Sequence, residues 1–326
     1  MEKDDKIRDQ QEKTKKYGIL MVIGFVVVCG MHSMKGRQGA IVVPPPTDST
    51  SIRRETVETP MIPEKPAATA PAVRDLRADL GALETLERRV HLLDEEVRAI
   101  KKTGVIMETD PTSLQKTGEL KDLTRNLLKL KYGDHPAYRV KVDLEFQPSI
   151  PDFAEKGPDG TIVIEMAPIE YQPVSVYNFL EIARTWIRGS FHRNAGHVLQ
   201  VMTVSGITKH LPFQEYSKEF PHKKGTAGYC GRPSGPCWYV SIMDNTINHG
   251  PGSQQQKNPY EADANFGTIV QGMEDVVPRI HTVPQKGWLD QQNQVKIIRK
   301  TVLIPDGQGG FKPWVDWTQD AKKAIQ

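Results

Sequence analysis

The sequence predicts a mainly β protein, a closed antiparallel barrel in its second half, preceded by a transmembrane helix and a coiled-coil helix. Three observations carry this prediction. Between residues 138 and 304 many short strand patterns recur with only two helical stretches among them, a pattern that favours a closed antiparallel barrel. Residues 17–34 are apolar and uncharged. Residues 73–101 repeat apolar side chains every seven positions.

The chain has 326 residues, room for two domains. Its 43 Lys plus Arg nearly balance 40 Asp plus Glu, so charge gives no argument for a nucleic-acid partner. The nine histidines are scattered without metal-ligand spacing, and no metal or cofactor is expected.

Residues 1–16 are polar and read as a cytosolic tail. The run GILMVIGFVVVCGMHSM inside 17–34 is long enough for a helix to cross a bilayer, at the short end of the range. A cleaved signal peptide is one alternative, but its Ala-x-Ala-like cleavage site is missing; a buried soluble helix is another. Basic residues before the span (Lys3, Lys6, Arg8, Lys13, Lys15, Lys16) outnumber Lys35 and Arg37 after it. That asymmetry predicts a type II single-pass protein whose globular part is lumenal, in the endoplasmic reticulum or Golgi.

Residues 35–72 form a stalk, with Pro44, Pro45, Pro46, Pro60, Pro63, Pro66 and Pro71 among Thr, Ser, Ala and Glu. Such a segment buries too little apolar surface to offset its ordering entropy, and proline keeps it extended. In 73–101, Leu76, Leu83, Val90 and Val97 recur every seven residues, with Leu86, Leu93 and Ile100 three residues after the last three. This a/d seam predicts self-association as a coiled coil; an amphipathic helix lying on the globular domain is the alternative. Residues 110–132 read as a helical neck, opened by Asp110-Pro111 and stopped by Gly133, with Leu120, Leu123, Leu127 and Leu130 in one stripe.

The domain at 138–304 opens with YRVKVDLEF, whose Val140, Val142, Leu144 and Phe146 share one face of a half-buried strand. Strand 160–166 follows a Gly-Pro-Asp-Gly turn. A helix over 174–186 turns Val176, Phe179, Leu180, Ile182 and Ala183 inward. One strand is expected over 191–200, continuing to Val204. Shorter strands follow at 227–229, 238–243 and 266–270, then a helix at 273–280 and a closing strand at 295–304. Residues 305–326 are a tail that Trp314 and Trp317 are placed to pin to the barrel.

Three stretches carry a resemblance: GTIVIEMAPIEYQPVSVYNFLEIA (160–183), FHRNAGHVLQ (191–200) and NFGTIVQGMEDVVPRI (265–280). In this order they resemble a cyclophilin-type peptidyl-prolyl isomerase domain over roughly half the chain. The resemblance implies an eight-stranded barrel with helices capping its ends. It places Arg193 on the family's catalytic arginine and Gln200 near its carbonyl-holding glutamine, one residue early. His197 stands in for the family's pocket phenylalanine, and Tyr239 falls where another pocket aromatic is common. The family's Trp and His before the FG strand have no counterpart in NPYEADANFG (258–267). His192, beside Arg193, and the loop DNTINHGPGSQ (244–254), with Asn245 and His249, complete the candidate substrate-binding residues; a plain Gly/Pro turn is the alternative for that loop.

A prolyl bond resists rotation because amide resonance gives its C–N bond double-bond character, with a barrier of about 20 kcal/mol. A guanidinium aimed at the prolyl nitrogen from the barrel mouth favours the single-bonded form, and no nucleophile or general base is required. The function expected is isomerisation of lumenal proline-containing chains. A catalytically inactive cyclophilin-like binding scaffold is the alternative. A Golgi glycosyltransferase, suggested by the anchor-and-stalk architecture alone, ranks last because no Asp-x-Asp motif occurs in the globular half. Cys230 and Cys237 bracket a GRPSGP turn and form a disulfide candidate in an oxidising compartment.

Overall fold

The computed structural model describes residues 75–206, 209–254 and 258–325. The expected tail, membrane span and stalk lie outside the described residues. Among the described residues, no helix is long and apolar enough to cross a membrane.

Helix α1 (Leu76–Lys102) starts at Asp75, whose carboxylate accepts the Arg77 and Ala78 amides at 3.1 Å. Those amides have no partner inside the first turn, so the aspartate fixes where the helix begins. Helix α2 (Pro111–Tyr132) starts as its sequence predicts, with Asp110 accepting the Ser113 amide at 2.8 Å, and ends at Gly133, whose φ is 95°. The seam expected to bind a partner chain is turned onto the same chain. Leu83, Leu93 and Val97 are buried, and Leu93 and Val97 share one apolar core with Leu120 and Leu128 of α2. Within the chain the seven-residue spacing serves an amphipathic helix packed on the globular unit, the alternative the sequence left open.

Next come β1 (Arg139–Glu145), α3 (Phe153–Lys156), β2 (Asp159–Met166), α4 (Pro173–Thr185), β3 (Trp186–Asn194), β4 (Val198–Ser205), β5 (Thr226–Tyr229) and β6 (Trp238–Ser241). They are followed by α5 (Thr246–His249), β7 (Asn265–Gln271), α6 (Val276–His281), β8 (Gly287–Trp288), β9 (Val295–Pro305), β10 (Phe311–Pro313) and α7 (Trp317–Ile325). The sheet order is β10-β9-β1-β2-β7-β5-β6-β4-β3-β8, with β9 also paired to β3. That second pairing (Gly189↔Ile297, Ser190↔Lys296, Phe191↔Val295) closes eight antiparallel strands, β9-β1-β2-β7-β5-β6-β4-β3, into a barrel. Strands β8 and β10 are appended outside the ring. The architecture is compatible with a cyclophilin-like fold.

Alternation decides what lies inside. Phe191, Leu199, Val201, Ala227, Trp238, Val240 and Phe266 fill the barrel, and α4 packs Phe179 against Phe266 at 3.8 Å between ring centroids. The intervening residues, among them Gln200 and Tyr239, point to the outer face.

One strand differs from expectation, and the tail is held by the two tryptophans expected to pin it. The single strand expected over 191–204 is a hairpin, β3 and β4, because Asn194-Ala195-Gly196-His197 turns: Ala195 donates to the Val198 carbonyl at 3.0 Å and Gly196 takes φ 84°. The tail is pinned at the junction of α2 and β9. Trp314 packs 4.8 Å from the Tyr132 ring and its amide donates to the Val302 carbonyl, while Trp317 Nε1 donates to the Lys131 carbonyl at 2.9 Å.

Because α1 is part of this core, Leu93→Ala is expected to lower stability by about 2–4 kcal/mol. Urea unfolding at two protein concentrations tenfold apart measures it; equal losses at both identify packing within one chain.

Candidate functional site

The closed register builds one row of neighbours across the outer face. Trp288 of β8 pairs with Arg193 of β3, Arg193 with Gln200 of β4, Gln200 with Tyr239 of β6, and Tyr239 with Gly228 of β5. Residues directly opposite one another in antiparallel strands project from the same face. The candidate catalytic pair is thus on the barrel wall, which corrects the expected position in the barrel mouth. The β3–β4 register is irregular between Phe191 and Arg193, so Arg193 stands opposite Gln200 while Phe191 stands opposite Val201.

Arg193 Nη1 donates to Gln200 Oε1 at 3.2 Å, and its guanidinium lies 5.1 Å from the Trp288 ring centroid. Its Nε is buried and has no hydrogen-bond partner among the described residues, nor does the side chain pair with a carboxylate there. A fork of five donors fixed by one amide and one indole keeps donors for an incoming acceptor. His192 is buried behind the same indole, 5.2 Å from it, and burial followed by the neighbouring Arg193 charge lowers its pKa.

The other end of the row is roofed. Tyr239 is 1 % exposed although it points away from the barrel core, because His249 stacks on it at 4.7 Å and His197 stacks on His249 at 5.3 Å. Gly228 makes room beneath: a Cβ there would sit 2.7 Å from the Tyr239 hydroxyl. Burial lowers the pKa of His197, whose Nδ1 sits 3.1 Å from the Ala195 carbonyl. Asn245 is fully buried; its Nδ2 donates to the His197 carbonyl at 2.9 Å and its Oδ1 accepts from Asn248, so it braces the loop.

Under this roof lies a polar network that sequence reasoning missed. Asp263 accepts from Arg232 Nε at 2.7 Å, His249 Nδ1 at 2.5 Å and Gln254 Nε2 at 3.0 Å, and both side chains of the Arg232–Asp263 pair are nearly inaccessible. The Asp263 carbonyl oxygen lies 2.9 Å from His222 Nε2, which must therefore carry the proton. Neutral His222 then accepts the Tyr239 hydroxyl at Nδ1, 3.3 Å away. Burial, followed by the neighbouring His249, pushes the His222 pKa down to about 4. Asp263 sits three residues before the FG of β7, the stretch where no family Trp or His could be matched, so its position was a signal available in the sequence.

Comparison with family models and with curated proteins finds no match for the chain.

Cys230 and Cys237 face each other at the end of the β5–β6 hairpin, where the Cys230 amide donates to the Cys237 carbonyl at 2.8 Å. Both are free thiols. The hydrogen bond between them and burial push the Cys230 thiol pKa up.

No side chain in the row is arranged as a nucleophile. The row offers a fixed cation, an amide and one exposed aromatic surface, Trp288, which suits holding an extended chain and donating to it.

His222 gives a pH prediction. Its folded pKa near 4 lies below the unfolded value of 6.5, so the unfolded chain takes up the proton first as pH falls. The stability it contributes is full above about pH 6.5 and lost progressively towards pH 4, on the order of 3 kcal/mol. Urea unfolding between pH 4 and 7 should show that slope in the wild type and a shallower one in His222→Gln.

Proposed function

We propose that this chain is a cyclophilin-like peptidyl-prolyl isomerase acting on proline-containing chains, with Arg193 as electrostatic catalyst and Gln200 holding a flanking carbonyl. The membrane anchor and lumenal placement expected from residues 17–34 belong to the same proposal. What supports the reading most is Arg193 itself: a guanidinium on an open barrel wall, oriented by Gln200, with a buried donor left unpartnered and no carboxylate to neutralise it. A donor aimed at the prolyl nitrogen stabilises the pyramidal nitrogen of the rotating bond, where resonance is lost. A charge-assisted hydrogen bond of about 1.5–3 kcal/mol made only in that state corresponds to roughly ten- to a hundredfold in rate.

One observation favours a second reading, binding without turnover. Beside Tyr239, under His249, lies the buried Arg232–Asp263 ion pair, where an apolar pocket would grip a proline ring. A buried, fully hydrogen-bonded ion pair is costly to disturb, so it does not rearrange to admit the ring.

A protease-coupled isomerisation assay on the full chain in detergent separates the two. Arg193→Ala is expected to lower kcat/KM by about ten- to a hundredfold, with Arg193→Lys recovering little because the planar fork is lost. Equal and negligible rates for wild type and Arg193→Ala would leave only the binding reading.

A further inference from the structure

Trp288 has no counterpart in the sequence signals that located the site, and it stands beside the proposed catalyst. It is 65 % exposed, whereas Trp186 and Trp238 are buried in the barrel core. A large aromatic held in water beside a fixed cation is an unfavourable place to leave apolar surface unless something covers it.

The segment that carries it is well fastened. The Leu289 amide donates to the His192 carbonyl at 2.8 Å, and Asn194 Nδ2 donates to the His281 carbonyl at 2.9 Å. Ser190 Oγ donates to Gln294 Oε1 at 2.7 Å, and Gln294 Nε2 donates to the Leu289 carbonyl at 3.0 Å. Gln285 Oε1 accepts both the Asp290 amide and Asn293 Nδ2. Strand β8 is only two residues long and lies outside the closed ring, yet these bonds hold it against β3. The backbone that carries the indole is therefore preorganised, and binding there costs little ordering of the segment.

One side of the indole is taken by Arg193 and His192, at 5.1 and 5.2 Å. The rest faces solvent. Neighbouring strands lie about 4.8 Å apart, while an extended chain advances about 3.3 Å per residue. A chain lying along the row with its prolyl nitrogen at Arg193 therefore brings a side chain one or two positions away onto the indole.

We infer that Trp288 is a specificity-determining residue, a stacking platform that selects chains with an aromatic side chain within two positions of the recognised proline. The inference rests on the proposed reading that a proline-containing chain lies along this row, and it holds whether or not that chain is turned over. Trp288 binds the flanking side chain and does not touch the rotating bond. An offset or edge-on aromatic pair corresponds to roughly two- to tenfold in affinity.

The test uses the full chain and a host peptide of Ala and Gly around one proline, with Tyr or Ala at each of the two positions on either side. Binding is read by emission of the exposed indole, with Trp288→Phe as the spectroscopic blank, and by isothermal titration for Trp288→Ala. The wild type should bind the best Tyr peptide about three- to tenfold tighter than the all-Ala peptide. Trp288→Ala should bring that ratio near one while the all-Ala affinity changes less than twofold, and Trp288→Phe should keep part of the preference. An unchanged ratio in Trp288→Ala, or no peptide binding by the wild type, overturns the inference. Negligible isomerisation by both wild type and Arg193→Ala, with the Tyr preference retained, removes the isomerase reading and leaves Trp288 in its role.

Discussion

The antiparallel pairing of β3 with β9 is the constraint on which the site depends. It turns an open sheet into a ring and leaves no freedom of register between β3, β4 and β6. A slip of one residue would send Arg193 into the apolar core and Phe191 onto the surface, a double penalty of a buried charge and an exposed aromatic ring. The same register that keeps Phe191, Leu199, Trp238 and Phe266 packed together lines up Trp288, Arg193, Gln200 and Tyr239 on the outside. Core and site are two faces of one pattern of pairing. The helices reinforce it from a distance, since α4 drives Phe179 into the barrel core while α1 and α2 bury their leucines against the same apolar mass.

The Asp263 network gives the site its asymmetry. At the Trp288 end, the cation is open and under-satisfied; at the Tyr239 end, nearly every polar atom is matched. Asp263 gathers Arg232, His249 and Gln254 on its carboxylate and His222 on its carbonyl, and Arg232 reaches on to Ser253 at 2.8 Å. Buried charges survive only with such complete pairing. His249 Nε2 is an exception, buried without a partner. The network ties the 244–254 loop to the start of β7 and closes the roof over Tyr239. Specificity is then expected to come from the open end, where the surface is apolar and exposed.

Much of this was legible in the sequence and some was not, for identifiable reasons. Barrel strands whose residues alternate, such as Val140, Val142 and Leu144 of β1, were placed to within a residue. The Asp110-Pro111 start and Gly133 stop of α2 were correct because capping is local chemistry. The β3–β4 hairpin was missed because both arms are apolar and the four-residue turn holds one glycine, so periodicity alone ran through it. The α1 seam was ambiguous because a heptad repeat specifies a helix with a narrow apolar stripe, and only tertiary structure says which surface covers it. At the candidate site, a short motif pointed to Arg193 and Gln200, which the structure pairs with each other. Trp288, Arg232 and Asp263 lay outside it, since their partners lie from 9 to 96 residues away and two-residue β8 leaves no periodic trace.

The two functional readings differ in where binding energy is used. Isomerisation needs interactions that strengthen as the amide loses planarity, and a donor to the prolyl nitrogen is of that kind. A single such donor accounts for about 1.5–3 kcal/mol of a barrier near 20 kcal/mol. Stacking on Trp288 is the opposite case: a flanking aromatic ring feels the same contact before, during and after rotation, so it tightens binding without accelerating turnover. Under the proposed reading, a half-buried cation beside an exposed indole, with a buried ion pair where a ring pocket would lie, favours recognition at least as strongly as rate. The row can hold a chain by its neighbours even where it grips the proline itself loosely, and that ordering of strengths follows from Asp263 occupying the position beneath His249.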